Sequence, residues 1–162
     1  MKLIPYVIYL ILMAFHAVIL QGVTTIFTAS LNLPALIVLA VAIYKDDIPA
    51  TWFGFVAGLV AFAGGPPEQL GWQGLIMALL ALGACQVRVR LNLDSLRAKL
   101  LLVLCGLILH NVVVLLMSQA DGFLVNVFTY AVAGAVYTTL LAWVFFVLKE
   151  RVITVERIKA IF

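Results

Sequence analysis

Charged residues divide the chain into long apolar runs. Residues 3–44, 48–67, 69–87, 100–120 and 122–148 contain no Asp, Glu, Lys or Arg. The ~30 Å hydrocarbon core of a bilayer takes about 20 helical residues to cross. Each of the last four runs therefore fits one span, whereas the first, 42 residues long, needs two. The pattern predicts six membrane helices, at about 3–20, 26–44, 50–63, 70–87, 96–117 and 123–148. They form a single membrane domain over 1–162, with residues 149–162 as a cytoplasmic tail. Reading 3–44 as one span would need a helix of ~63 Å at 1.5 Å per residue.

Turn and cap residues punctuate the same runs. Gln21 to Thr25 makes the first turn, and Ser30 and Asn32 stand just ahead of Pro34, where a capping side chain and a first-turn proline open a helix. Lys45, Asp46, Asp47 and Pro49 close that helix and open the next, and Gly64-Gly65-Pro66-Pro67 is a breaker cluster. Lys2 followed by an apolar run resembles a signal peptide, but no small-x-small cleavage site follows, so this segment is expected to stay as a helix. After Leu148, Val155, Ile158 and Phe162 share one helical face opposite Glu156, Arg157 and Lys159, which predicts a short interfacial helix.

Composition excludes a water-soluble domain. Apolar residues make up 66% and charged residues 10%, against about 25% charge in soluble domains. The net charge of +3 follows from topology rather than from nucleic acid. Six spans put the N-terminus, the second and fourth loops and the C-terminus on one side, and that side holds all ten Lys and Arg residues. The positive-inside rule makes it cytoplasmic. The densest basic loop, residues 86–99, carries Arg88, Arg90, Arg97 and Lys99; these set topology and can attract anionic lipid or an acidic partner.

Chemistry-bearing residues are few. The chain has no P-loop, GxSxG, HExxH or Cys/His metal cluster, so neither an enzyme nor a cofactor is expected. Cys85 and Cys105 read as small packing residues. His16, His110 and Asn111 lie within apolar runs, where ionisable groups are functional candidates. No carboxylate accompanies them deep in a run, so interhelical hydrogen bonding is the leading reading for these three and for Asn126, Thr129, Thr138 and Thr139. A partner contact or ligand pocket is the other. Gly54 with Gly58, and Gly74 with Ala78, have the small-xxx-small spacing that lets helices approach closely, and Gly134 sits in a third small-residue patch. These positions, with Phe55, are candidates for packing within the bundle or against a partner.

Several of these elements together resemble the MreD family of rod shape-determining membrane proteins. The resemblance rests on Leu33-Pro34-Ala35-Leu36, then Gly54-Phe55-Val56-Ala57-Gly58-Leu59 and a Gly/Pro turn. Leu70-Gly71 running to Ala81-Leu82-Gly83, and Arg88-x-Arg90 before Ser95, complete it. Acidic residues frequent in that family are replaced here by Ala35 and by Phe62 and Ala63, so no role is carried over for them. The resemblance implies a non-enzymatic scaffold of the bacterial cell-elongation machinery in the inner membrane. Its partners would be an MreC-like single-span protein, the RodA and transpeptidase pair that builds sidewall peptidoglycan, MreB and RodZ indirectly, and membrane lipids. It also implies a six-helix fold similar to the substrate-binding subunits of energy-coupling-factor transporters, which makes a small-molecule-binding transporter subunit the alternative function.

Overall fold

The computed structural model describes residues 4–17, 30–65, 67–91, 93, 95–118 and 122–159, without the side chains of 4, 67–70 and 150–159. The expected turn at Gln21–Thr25, residues 119–121 of the expected Gln119–Gly122 turn, and residues 18–20 and 26–29 of the first two spans lie outside these. The described residues are helical and include no strand. The helices are α1 (Ile4–Phe15), α2 (Leu33–Tyr44), α3 (Asp47–Ala61), α4 (Pro67–Arg90), α5 (Leu96–Met117), α6 (Phe123–Asn126) and α7 (Ala133–Lys159). A π-helical segment, Val127–Val132, joins α6 to α7.

Among the described residues, three helical stretches are long and apolar enough to cross a membrane: Gly71–Arg90, Leu96–Met117 and Phe123–Lys149. The sequence pattern predicts six. Helices α2 and α3 are apolar but have only 12 and 15 residues, or about 18 to 23 Å at 1.5 Å per residue, and α1 is apolar over the 12 residues described. Helix α3 starts three residues before the expected 50, because Asp47 and Pro49 are both favourable in a first turn. At the other end of the chain α7 runs unbroken to Lys159, where a separate helix after Leu148 was expected. Between Lys149 and Lys159 the sequence contains neither Gly nor Pro, so nothing stops the helix.

Local signals account for where the helices begin. The Asn32 side chain accepts from Ala35 N at 3.2 Å and Ser95 Oγ accepts from Ala98 N at 3.2 Å, each satisfying a donor that the first turn leaves unpaired. Gly122, at φ 71°, takes the left-handed conformation ahead of α6.

Helix α2 is the centre of the bundle. Its sequence LPALIVLAVAIY has no polar face, and Pro34 to Leu39 and Val41 to Ile43 are buried, as expected of a helix apolar all round. Neighbouring helices alternate in direction around it. Gly54 faces Met77 and Gly58 faces Gln73, so α3 and α4 are antiparallel. Cys85 and Arg88 reach the carbonyl of Ala42, so α4 runs with α2. The pairs Asn32–Thr138 and Tyr44–Phe146 set α7 parallel to α2. Tyr6 and Tyr9 stack on Phe53, with ring centroids at 5.6 and 6.3 Å, which seats α1 against α3.

Candidate functional site

The small-residue seam lies inside the bundle. A Cβ on Gly54 would sit 2.6 Å from the Met77 carbonyl oxygen, and one on Gly58 would sit 2.5 Å from that of Gln73 and 2.7 Å from Gly74 Cα. The backbones of α3 and α4 therefore touch, as small residues allow where lipid offers no hydrophobic drive between helices. Ala78 is buried in the same contact region of α4. Phe55 packs its ring edge 3.2 Å from where a Gly74 Cβ would stand, and meets Trp52 edge-on at 6.3 Å. Of the two uses expected for this stripe, packing within the chain is the one realised, and α4 leaves no room on it for another protein. Gly134 belongs elsewhere: a Cβ there would stand 3.2 Å from Ser30 O and 3.7 Å from Asn111 Nδ2.

A second region gathers cations at one end of the bundle. Arg88, expected in a basic loop, instead turns inward from the last turn of α4. Its Nη1 donates to the carbonyls of Ala42 (3.1 Å), Ile43 (3.4 Å) and Lys45, and Nη2 approaches Asp47 Oδ1 at 3.5 Å. One guanidinium thus satisfies the open carbonyls of the α2 C-terminus and ties them to the start of α3. Lys149 and Lys99 lie 3.1 and 5.9 Å from the ring centroid of Tyr44, and Lys45 lies 6.0 Å from that of Tyr6. Arg90 and Arg97 are exposed at the same end. Cys85 is buried with Sγ 3.6 Å from the Ala42 carbonyl, whereas Cys105 is exposed rather than packed.

The third region is a polar centre at the opposite end of α2. Asn32, which the sequence marks only as a cap, is its hub. Its Nδ2 donates to Asn111 Oδ1 at 2.9 Å and lies 3.1 Å from His110 Nδ1, while its backbone N–H donates to Thr138 Oγ1 at 3.1 Å. Asn111 Nδ2 donates to the carbonyl of Ala131 in the π-helical segment at 3.1 Å. Four segments are joined by these bonds, which form the interhelical network expected for His110, Asn111 and Thr138. Thr139 donates to Ala135 O of its own helix rather than across helices, and Thr129 Oγ1 donates to Val125 O. His16 is buried, and neither ring nitrogen has a hydrogen-bond partner among the described residues. The missed hub had a readable signal, since Asn32 is an amide in an uncharged run immediately before a buried helix.

Outward faces are apolar: Val7, Ile8 and Ile11 on α1, Leu101, Leu109 and Leu116 on α5, and Leu140 and Leu148 on α7 are all exposed. Water does not tolerate apolar surface on this scale on a soluble monomer. With three helices of spanning length and no strand among the described residues, the fold defines a helical membrane protein. The chain matches no protein-family model, no curated protein and no solved structure.

Proposed function

We propose that the chain is a six-span, inner-membrane scaffold of the MreD type, with both termini cytoplasmic. It would bind an MreC-like single-span partner and thereby support the RodA and transpeptidase pair in elongating rod-shaped cells. The observation that carries this reading is the pairing of helix direction with charge. Consecutive helices alternate, and Lys45, Arg88, Lys99 and Lys149 meet at the end where α2 and α4 finish, the apolar run of α7 ends and α3 and α5 start. That is the arrangement expected of six crossings with one basic, cytoplasmic side. The short α2 fits such a bundle because a helix buried among neighbours need not match the bilayer thickness on its own. Trp52 near the basic end and Trp72 near the other are exposed, as interfacial anchors are.

Because α4 occupies the Gly54/Gly58 stripe, a single-span partner would dock on a lipid-type outer face or on the turns at the non-basic end. Depletion in a rod-shaped host should round the cells, and affinity purification in mild detergent should recover a single-span partner with a periplasmic domain. Unchanged cell shape on depletion, with no such partner recovered, would refute the reading. Sidedness has its own check. A Cys at Glu68 should react with an impermeant maleimide in intact spheroplasts and a Cys at Lys159 should not.

A further inference from the structure

A cavity of about 820 Å³ opens beside the polar centre. Its wall includes His16, Asn32, His110, Asn111 and Tyr130, with apolar residues such as Phe62 and Val114 between them. No charged side chain is among the described lining residues. The volume lies in the range of pockets that hold drug-sized molecules.

The hydrogen bonds around Asn32 determine which proton His110 carries. The Asn32 amide is oriented by the cap, because Oδ1 accepts from Ala35 N, so Nδ2 is the group facing His110 and Asn111. An NH2 group can only donate, hence His110 Nδ1 is assigned as the acceptor of that 3.1 Å bond, in preference to donating to Asn111 Oδ1 at the longer 3.3 Å, and the ring proton sits on Nε2. Asn111 agrees: its Nδ2 is committed to the Ala131 carbonyl, which leaves Oδ1 to accept the second Asn32 proton. His110 Nε2–H then has no partner among the described residues, in a side chain only 3% exposed. His16, also 3% exposed, has two unpartnered ring nitrogens and lines the same cavity. Buried polar groups without partners are costly and rare. Two such histidines on the wall of one cavity indicate that something else completes them.

We propose that this cavity binds an uncharged, largely apolar small molecule whose carbonyl or hydroxyl oxygen accepts the N–H of His110. The absence of charge among the described lining residues sets the first property, since an ion brought here would lose its hydration with no counter-charge from them to replace it. The donor state of His110 sets the second. The apolar remainder of the wall accommodates the body of the molecule. This inference goes beyond the scaffold reading and does not depend on it.

The test uses the full chain in nanodiscs of zwitterionic lipid and the photoactivatable probe 4-benzoylbenzamide, which is neutral and carries carbonyl acceptors, with adducts located by peptide mass spectrometry. Saturable labelling is expected within residues 60–65, 110–115 or 130–131. Ala14→Phe, which places a ring in the cavity from α1, should abolish that saturable component, and His110→Leu should weaken binding by about tenfold, the loss of one buried hydrogen bond. The charged analogue 4-benzoylbenzoate should not compete. The proposal is overturned if the neutral probe labels only outward positions such as Leu109 and Leu116, if Ala14→Phe labels like the wild type, or if the benzoate competes equally. Should His110→Leu not fold, Ala14→Phe and the competition decide between these outcomes.

Discussion

The two halves of this bundle are assembled on opposite principles. Between α3 and α4 the contact is made by small residues: no side chain separates Gly58 from Gln73 and Gly74, and backbone lies against backbone. At the start of α2, by contrast, polar groups tie Asn32 to α5 and α7, and α5 to the π-helical segment, around a cavity. The first kind of contact gains its stability from dispersion alone and tolerates no added atom. The second keeps space open by using side-chain amides as bridges. A membrane protein thus has a rigid seam and a roomy polar centre in one small bundle, and any ligand chemistry belongs to the second.

Substitutions can break this contrast directly. The largest effect is expected for Gly58→Ala, since the new methyl meets backbone atoms that cannot rotate away. Unfolding in detergent should show a loss of about 3 kcal/mol, and a wild-type midpoint would mean that α3 and α4 do not touch here. Asn32→Ala comes next. It removes the α2 cap and two side-chain bonds, for a loss of about 2 kcal/mol, and it should lower saturable probe labelling of the cavity wall, which no seam variant should do. The smallest effect should have the opposite sign. Gly83 lies in α4, and a methyl added there would meet nothing within 4 Å, so Gly83→Ala should stabilise by about 1 kcal/mol through helix propensity. A destabilising Gly83→Ala would place a further neighbour against that face.

The candidate site is legible in the sequence only in pieces. Spacing is enough to nominate Gly54, Gly58, Gly74 and Ala78, but it does not say whether their partner is α4 or another protein. His16, His110 and Asn111 stand out as polar groups in apolar runs. Arg88 reads as a loop cation because a basic residue at a helix end looks the same in sequence whether it faces solvent or folds back on a neighbouring carbonyl, as this one does on Ala42, Ile43 and Lys45.

What the sequence determined by itself is what depends on one helix at a time. Hydropathy and the absence of charge make the chain helical and membrane-bound, because backbone polar groups in lipid must be satisfied within the segment. Local side chains such as Asn32 and Ser95 set where helices begin. Tertiary structure alone decided the rotation of each helix about its axis, and with it the seam, the inward turn of Arg88, the Asn32 hub and the cavity. In a soluble protein, contrast between an apolar core and polar surface would have revealed that rotation. Here lipid and core are both apolar, so helices such as α5 carry almost no such contrast, and their facing is set by which small and polar residues find one another.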